Sequence, residues 1–169
     1  DFQSSSYDLE YCSWSNLPED DFKIISNLVI SQSFPWYFVS EINDQYKEKN
    51  LESYFIHHVF DRNSGYSKYA DPFRKLLVKL KARCFIRVKL NLYPRTQKLE
   101  VHKAHIDFPY KHKAAIYYIN TNNGTTILHD GSKVKSVANR LLLFEAHKKH
   151  SSTSTTDTKC RLNININYF

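Results

Sequence analysis

Two stretches of the chain place apolar side chains at helical spacing. In residues 18–31 (PEDDFKIISNLVIS), Phe22, Ile25, Leu28 and Val29 fall on one face. Pro18 and the acids Glu19, Asp20 and Asp21 suit the positive end of a helix dipole. In residues 71–83 (DPFRKLLVKLKAR), Phe73, Leu76, Leu77 and Leu80 form the stripe. Asp71 reads as the N-cap, Pro72 fits the first turn, and Lys and Arg fill the last turns. Most of the remaining pattern is the two-residue alternation of strands, expected over 35–42, 53–60, 85–93, 99–107, 114–120, 125–129, 133–137, 140–146 and 161–168. Asn122-Asn123-Gly124 and Asp130-Gly131 are hairpin signals. No helical pattern follows residue 84. Helices at the front and short strands behind predict an α+β, mainly β chain: an antiparallel sandwich or jelly roll braced by N-terminal helices. No repeat or linker divides it, so residues 1–169 read as a single domain.

The length of 169 residues allows a real core, and 41% hydrophobic and 15% aromatic residues exclude a disordered chain. No apolar run is long enough to span a membrane as a helix. Cys12, Cys84 and Cys160 are odd in number, widely spaced and without a CxxC pair, which points to a reducing, cytoplasmic setting. The net charge of +7 is unevenly spread. Residues 1–60 carry 3 basic and 10 acidic side chains, a net of −7, and residues 61–169 carry 21 basic and 7 acidic, a net of +14. The basic part either neutralises the acidic part or attracts an anionic partner such as nucleic acid.

Among the candidate chemical groups, His105-Ile106-Asp107 places an imidazole and a carboxylate on one face of an expected strand. A histidine from a distant strand would complete a two-histidine, one-carboxylate set that leaves coordination positions open, as Fe(II) oxygen chemistry requires. His147 and His150 are the downstream candidates. In the last strand Arg161, Asn163, Asn165 and Asn167 share one face, and Leu162, Ile164 and Ile166 share the other. The remaining groups have blander expectations. His102 should point to the opposite face from His105. His57 and His58 should serve packing, and His112 and His129 should be solvated. Trp14, Trp36, Tyr37 and Phe38 should be core, and the run SSTSTTDT (151–158) should be a flexible hydroxyl loop. With 3 glycines in all, a phosphate-binding glycine loop is excluded.

The stretches LNLYP, HIDFP, AAIYYIN, NGTT, ANRLLLFEAHKKH and CRLNININYF, in that order, make residues 85–169 resemble the catalytic core of the Fe(II)/2-oxoglutarate-dependent dioxygenases, in particular the prolyl 4-hydroxylase-like branch. The resemblance implies a double-stranded β-helix, with residues 1–84 as support, and a hydroxylase using Fe(II), 2-oxoglutarate and O2. It implies His105, Asp107 and a distal histidine as iron ligands. His150, 11 residues before Arg161, matches the family spacing better than His147, 14 before. Arg161 would bind the far carboxylate of 2-oxoglutarate, supported by Tyr118, with Tyr93 and Asn91 reaching the same molecule. The expected substrate is a peptidyl proline or another protein side chain. Oxidation or demethylation of nucleic acid or nucleotides is the alternative, and a catalytically silent metal-binding jelly roll is the second. The chain departs from the family where a single glycine stands in NGTT and where Asn167 replaces a common tryptophan, which loosens the link to any one substrate.

Overall fold

The computed structural model describes residues 11–13, 17–40 and 53–169. Among the described residues eleven strands occur, in the order β1 (Tyr11–Ser13), β2 (Tyr37–Val39), β3 (Tyr54–Asp61), β4 (Gly65–Tyr66), β5 (Phe85–Pro94), β6 (Lys113–Tyr118), β7 (Thr125–Ile127), β8 (Lys133–Lys135), β9 (Arg140–Glu145), β10 (Ser151–Ser152) and β11 (Cys160–Tyr168). Helix α1 (Glu19–Ile30) lies between β1 and β2, and α2 (Arg74–Lys79) follows a 3-10 turn at Asp71–Phe73. The major sheet has the order β1-β9-β6-β11-β5-β3-β2, with β4 paired to β3; the minor sheet has the order β10-β7-β8. All pairings between strands are antiparallel. None of the described helices is long and apolar enough to cross a membrane.

Alternation on the central strands creates two interiors. Val88 and Leu90 of β5, Leu162, Ile164 and Ile166 of β11, Ala115 and Tyr117 of β6 and Leu141 of β9 pack against Ile25 and Val29 of α1 and Phe73, Leu76 and Leu77. Each of the larger of these apolar side chains contributes roughly 1.5–3 kcal/mol by leaving water. The opposite face of β6 and β9, with Ala114, Ile116, Tyr118, Leu142 and Phe144, meets Leu128 and Val134 from the minor sheet. This second interior is smaller because β5 and β11 give it polar side chains. Lys75 of α2 pairs with Asp21 of α1 at 2.6 Å, tying the two helices together on the outer face.

The jelly roll braced by front helices is the architecture expected from the pattern, and the structure differs from that expectation in several details. The second helix is shorter than 71–83 and opens as a 3-10 turn, with Ala70 rather than Asp71 in the cap position and no capping hydrogen bond from a side chain. Residues 99–107 are not a continuous strand. Only isolated bridges form there, Val101 with Thr153 and His105 with His150. Tyr37 and Phe38 are exposed, on the short terminal strand β2, whereas Trp36 packs against the core and donates its indole N–H to the Val29 carbonyl. Trp14 and residues 41–42 lie outside the described residues. The run 151–158 is no flexible loop: Ser151, Thr153, Ser154 and Thr155 are buried, and the hydroxyls of Thr153, Ser154 and Thr155 are used in hydrogen bonds to neighbouring segments. His112 is also buried, its Nδ1 beside the Tyr110 carbonyl at 2.8 Å.

Asn139 fastens the front of the chain to the sheet. It sits at φ 61°, a left-handed conformation that asparagine tolerates better than most residues. Its side chain accepts from the Leu17 N–H at 2.9 Å and from the Tyr117 hydroxyl at 2.7 Å, and donates to the Leu17 carbonyl at 2.8 Å. Asn139→Ala would strand these buried groups and strain the backbone. Urea unfolding is expected to show a loss of about 2–4 kcal/mol; a loss below about 0.5 kcal/mol would contradict this role.

Candidate metal and dicarboxylate site

The polar interior is built by strand register. On β11, Arg161 lies opposite Tyr93, Asn163 opposite Asn91, Asn165 opposite Lys89 and Asn167 opposite Arg87. Alternation therefore turns Arg87, Lys89, Asn91 and Tyr93 of β5 and the Arg161-to-Asn167 row of β11 into one cavity. Asn163 also lies opposite Tyr118 of β6, which brings that tyrosine to the same face.

His105, Asp107 and His150 meet at one end of this row, with one potential ligand atom from each lying within 4.8 Å of the others. The backbone N–H of each histidine donates to the carbonyl of the other at 2.9 Å, a reciprocal bridge that sets the imidazoles side by side. Nδ1 of His105 lies 3.3 Å from the Lys103 carbonyl, and Nδ1 of His150 lies 3.1 Å from the Lys148 carbonyl. A carbonyl can only accept, so each Nδ1 carries the proton and each Nε2 presents a lone pair. Those Nε2 atoms face Asp107, His105 at 3.8 Å from Oδ1 and His150 at 3.7 Å from Oδ2. Nε2 of His150 is buried without a hydrogen-bond partner. Burial and the neighbouring His150 hold the His105 pKa below its ordinary value, which favours the neutral, ligating form.

Asp107 is fixed from outside the triad. Arg87 donates to its Oδ1 at 3.4 Å, and the amides of Asn165 and Asn167 donate to its Oδ2 at 3.3 and 3.0 Å. Burial alone would raise the Asp107 pKa, but His150, Arg87, His105 and Lys89 together hold it below the ordinary value. Arg87 in turn lies over the Phe108 ring, 5.1 Å from its centroid.

Arg161 stands at the other end of the row and is fully buried. Its Nε donates to the Ser136 hydroxyl at 2.7 Å, one terminal nitrogen to the Ser152 hydroxyl and to the Thr153 carbonyl at 3.4 Å, and the other to the Thr126 hydroxyl at 3.2 Å. The rings of Tyr93 and Tyr118 lie 5.9 and 5.8 Å from its central carbon, and the Tyr118 hydroxyl donates to Thr126 at 2.7 Å. Among the described residues no carboxylate touches this guanidinium. Gly124 makes the close packing possible, because a Cβ there would lie 2.5 Å from Cδ of Arg161 and 2.7 Å from the Ser154 carbonyl oxygen.

The other candidates sort clearly. Asn91 is buried and donates to Asn163 at 3.0 Å, with its own carbonyl oxygen unpartnered. His147 lies 3.4 Å from Glu145 and takes no part in the cluster. His57 fills a structural role between the Pro35 carbonyl and the Ser67 hydroxyl, both at 2.9 Å. His102 does not point away from the site as alternation predicted. It is buried with its ring 5.1 Å from Tyr93, because residues 99–107 lack the regular strand that alternation assumes. Burial, followed by the Arg161 and His105 charges, lowers its pKa to about 4, so it is neutral near pH 7. The hydroxyl ring around Arg161 and the pair Arg87–Lys89 had no motif to mark them, although alternation places Arg87 and Lys89 on the face of Asn91 and Tyr93. A separate cleft of about 740 Å³, lined by Tyr66, Leu77, Val78 and Phe85 among others, includes no residue of the triad.

No protein-family model matches the sequence, and no curated protein matches it. Solved structures do match its fold. A prolyl-4-hydroxylase from Pseudomonas putida superposes with a TM-score of 0.66 at 14% identity, over 94% of this chain and 91% of that one. A prolyl hydroxylase from Trichoplax adhaerens, solved with a hypoxia inducible factor oxygen degradation domain peptide fragment, gives 0.66 at 14% identity, over 95% and 83%. A 2OG-Fe(II) oxygenase family protein from Burkholderia pseudomallei gives 0.70 at 10% identity, over 94% and 84%. The chain therefore has the jelly-roll fold of the 2-oxoglutarate- and Fe(II)-dependent oxygenases.

The close approach at Gly124 gives a test of the Arg161 seat. Gly124→Ala is expected to push the guanidinium from its hydroxyl ring and to lower stability by about 1–3 kcal/mol. Thermal unfolding with and without added 2-oxoglutarate should show a lower Tm and a diminished ligand-induced rise. An unchanged rise would show that the seat does not serve the dicarboxylate.

Proposed function

We propose that this chain is a non-haem Fe(II)- and 2-oxoglutarate-dependent oxygenase that hydroxylates an unactivated C–H bond, with a peptidyl proline or another protein side chain as substrate. The observation that carries this reading is the pairing of two incomplete features in one cavity. One is a His-Asp-His cluster with an orphaned imidazole nitrogen; the other is a fully buried guanidinium with no carboxylate among the described residues. Isolated, each is costly, since a buried charge or polar atom without a partner loses its hydration. A divalent cation and a dicarboxylic acid would satisfy both.

The donor set fits Fe(II): two neutral imidazoles and one carboxylate occupy one side of an ion and leave the other positions open. His105, Asp107 and His150 would hold it. Arg161, with Tyr118 and Thr126 beside it, would hold the far carboxylate of 2-oxoglutarate, and Tyr93 and Asn91 line the space between. When bound, Fe(II) and 2-oxoglutarate supply the oxygen activation by which one atom of O2 enters the substrate and the other enters succinate, with loss of CO2. The protein's part is to orient and to exclude water. Arg87, Asn165 and Asn167 hold Asp107 in place. A planar fork among neutral hydroxyls selects a carboxylate over a neutral ligand. The peptide reading draws support from neighbours of the same fold that are prolyl hydroxylases, one of them bound to a peptide fragment.

Anaerobic titration with Fe(II) and 2-oxoglutarate tests the assignment. A weak visible charge-transfer band is expected, absent in Asp107→Ala. Arg161→Met should weaken 2-oxoglutarate binding by roughly 30-fold or more, as expected for losing a buried charge-assisted pair. No band from the intact protein would refute the oxygenase reading. Succinate release should follow addition of proline peptides; release with single-stranded DNA, RNA or nucleotides instead would move the substrate to nucleic acid.

A further inference from the structure

Resting on that oxygenase reading, we propose that Lys89 is a substrate-binding residue, and that the substrate is an acidic peptide whose carboxylate, beside the residue to be oxidised, docks on the Lys89 ammonium. The inference begins with the charges in the cavity. Arg87, Lys89 and Arg161 face it; among the described residues Asp107 is ion-paired with Arg87 and acts on Lys89, and Asp61 lies opposite Arg87 on β3. Three cations against two anions leave a net of +1. A divalent metal ion raises this to +3, and the two negative charges of 2-oxoglutarate bring it back only to +1. The occupied site therefore still lacks anions, and a neutral substrate would leave that excess without a counter-charge in an interior shielded from water.

Lys89 is the cation free to accept one. On the oxygenase reading Arg161 is taken by the far carboxylate of 2-oxoglutarate, and Arg87 is taken by Asp107 and the Phe108 face. Lys89 has no carboxylate within ion-pair distance among the described residues, and its Nζ lies 5.7 Å from the centre of the Tyr54 ring. Tyr54 stacks on Tyr93, with centroids 5.4 Å apart and planes inclined by 8°, giving Lys89 a fixed aromatic wall. The residue as a whole is half-buried but its ammonium is deeply buried, and that burial followed by the Arg87 charge lowers its pKa to about 8, so it remains mostly protonated near pH 7. The groups around it are His58 and Asn165 across the strands and Arg87 and Asn91 along β5. None of these is an anion.

Position selects the class of substrate. Lys89 lies opposite Asn165, whose amide donates to Asp107. Lys89 is thus one strand spacing from a residue that holds the carboxylate of the triad. One recessed cation at that point reaches one group close to the reacting carbon. A nucleic-acid backbone would instead need a row of exposed cations along its phosphates. A glutamate or aspartate side chain next to the reacting residue has both the charge and the reach.

The test is calorimetric titration of the anaerobic Fe(II)·2-oxoglutarate complex with blocked proline peptides that differ only in a glutamate or a glutamine beside the proline, and with oligothymidine. The glutamate peptide is expected to bind at least 10-fold more tightly than its glutamine twin. Lys89→Met should remove that preference, and Lys89→Arg should keep most of it, which a merely structural role would not do. Equal binding of the two peptides, no binding of the glutamate peptide, tighter binding of oligothymidine, or an undiminished preference in Lys89→Met would each overturn the proposal. So would Lys89→Met weakening 2-oxoglutarate rather than the peptide. The chelate band separates this failure from that of the oxygenase reading: a band from the intact protein with no glutamate preference sinks Lys89 alone.

Discussion

A guanidinium fully removed from water must be met by hydrogen bonds on every side, and Arg161 sets the terms for one end of this molecule. Its five donors require a ring of acceptors, which Ser136, Ser152, Thr126 and the Thr153 carbonyl provide. Those acceptors come from β7 and β10 of the minor sheet and from the residues that follow β8 and β10, so the charge fixes how the minor sheet sits over β11. Gly124 is the residue that lets the minor sheet approach so closely. Hydroxyls answer the donors but not the charge, and that remaining imbalance makes the cavity selective for an anion.

The other end of the row depends on a backbone device. The reciprocal N–H to carbonyl bonds between His105 and His150 bring together residues from distant parts of the chain without a regular strand around His105. Each imidazole then uses its inner nitrogen on a nearby carbonyl and presents its outer nitrogen to the same point. The amides of β11 fix Asp107 against that point. Arg161 and the asparagines thus lie along one strand face, and two of those asparagines hold Asp107, so that both ends of the row share a single rigid support. The opposite face of the same strands, Leu162, Ile164 and Ile166, is locked into the helical side of the core.

Much of this was legible in the chain. The period-two pattern of RLNININY placed an arginine and three asparagines on one face, and β11 has that arrangement. The stripes at Ile25–Val29 and Phe73–Leu77 identified the helices. The misreadings share a physical cause: each assumed regular local geometry where tertiary contacts decide. Residues 99–107 look like a strand but are shaped by isolated bridges to the 150–155 segment, so His102 turns inward. The serine- and threonine-rich run looks solvated because hydroxyls usually are, yet here they are recruited by a buried charge far along the chain. Arg87 and Lys89 escaped attention because cations on a strand ordinarily mark a solvated face, and nothing local says that both faces of β5 are covered.

The most direct measurement is an anomalous difference map at the iron edge from crystals grown anaerobically with Fe(II) and 2-oxoglutarate. The account predicts one iron peak bounded by Nε2 of His105, Nε2 of His150 and the Asp107 carboxylate, with the far carboxylate of 2-oxoglutarate against Arg161. Iron bound elsewhere, or a dicarboxylate seated away from Arg161, would contradict it.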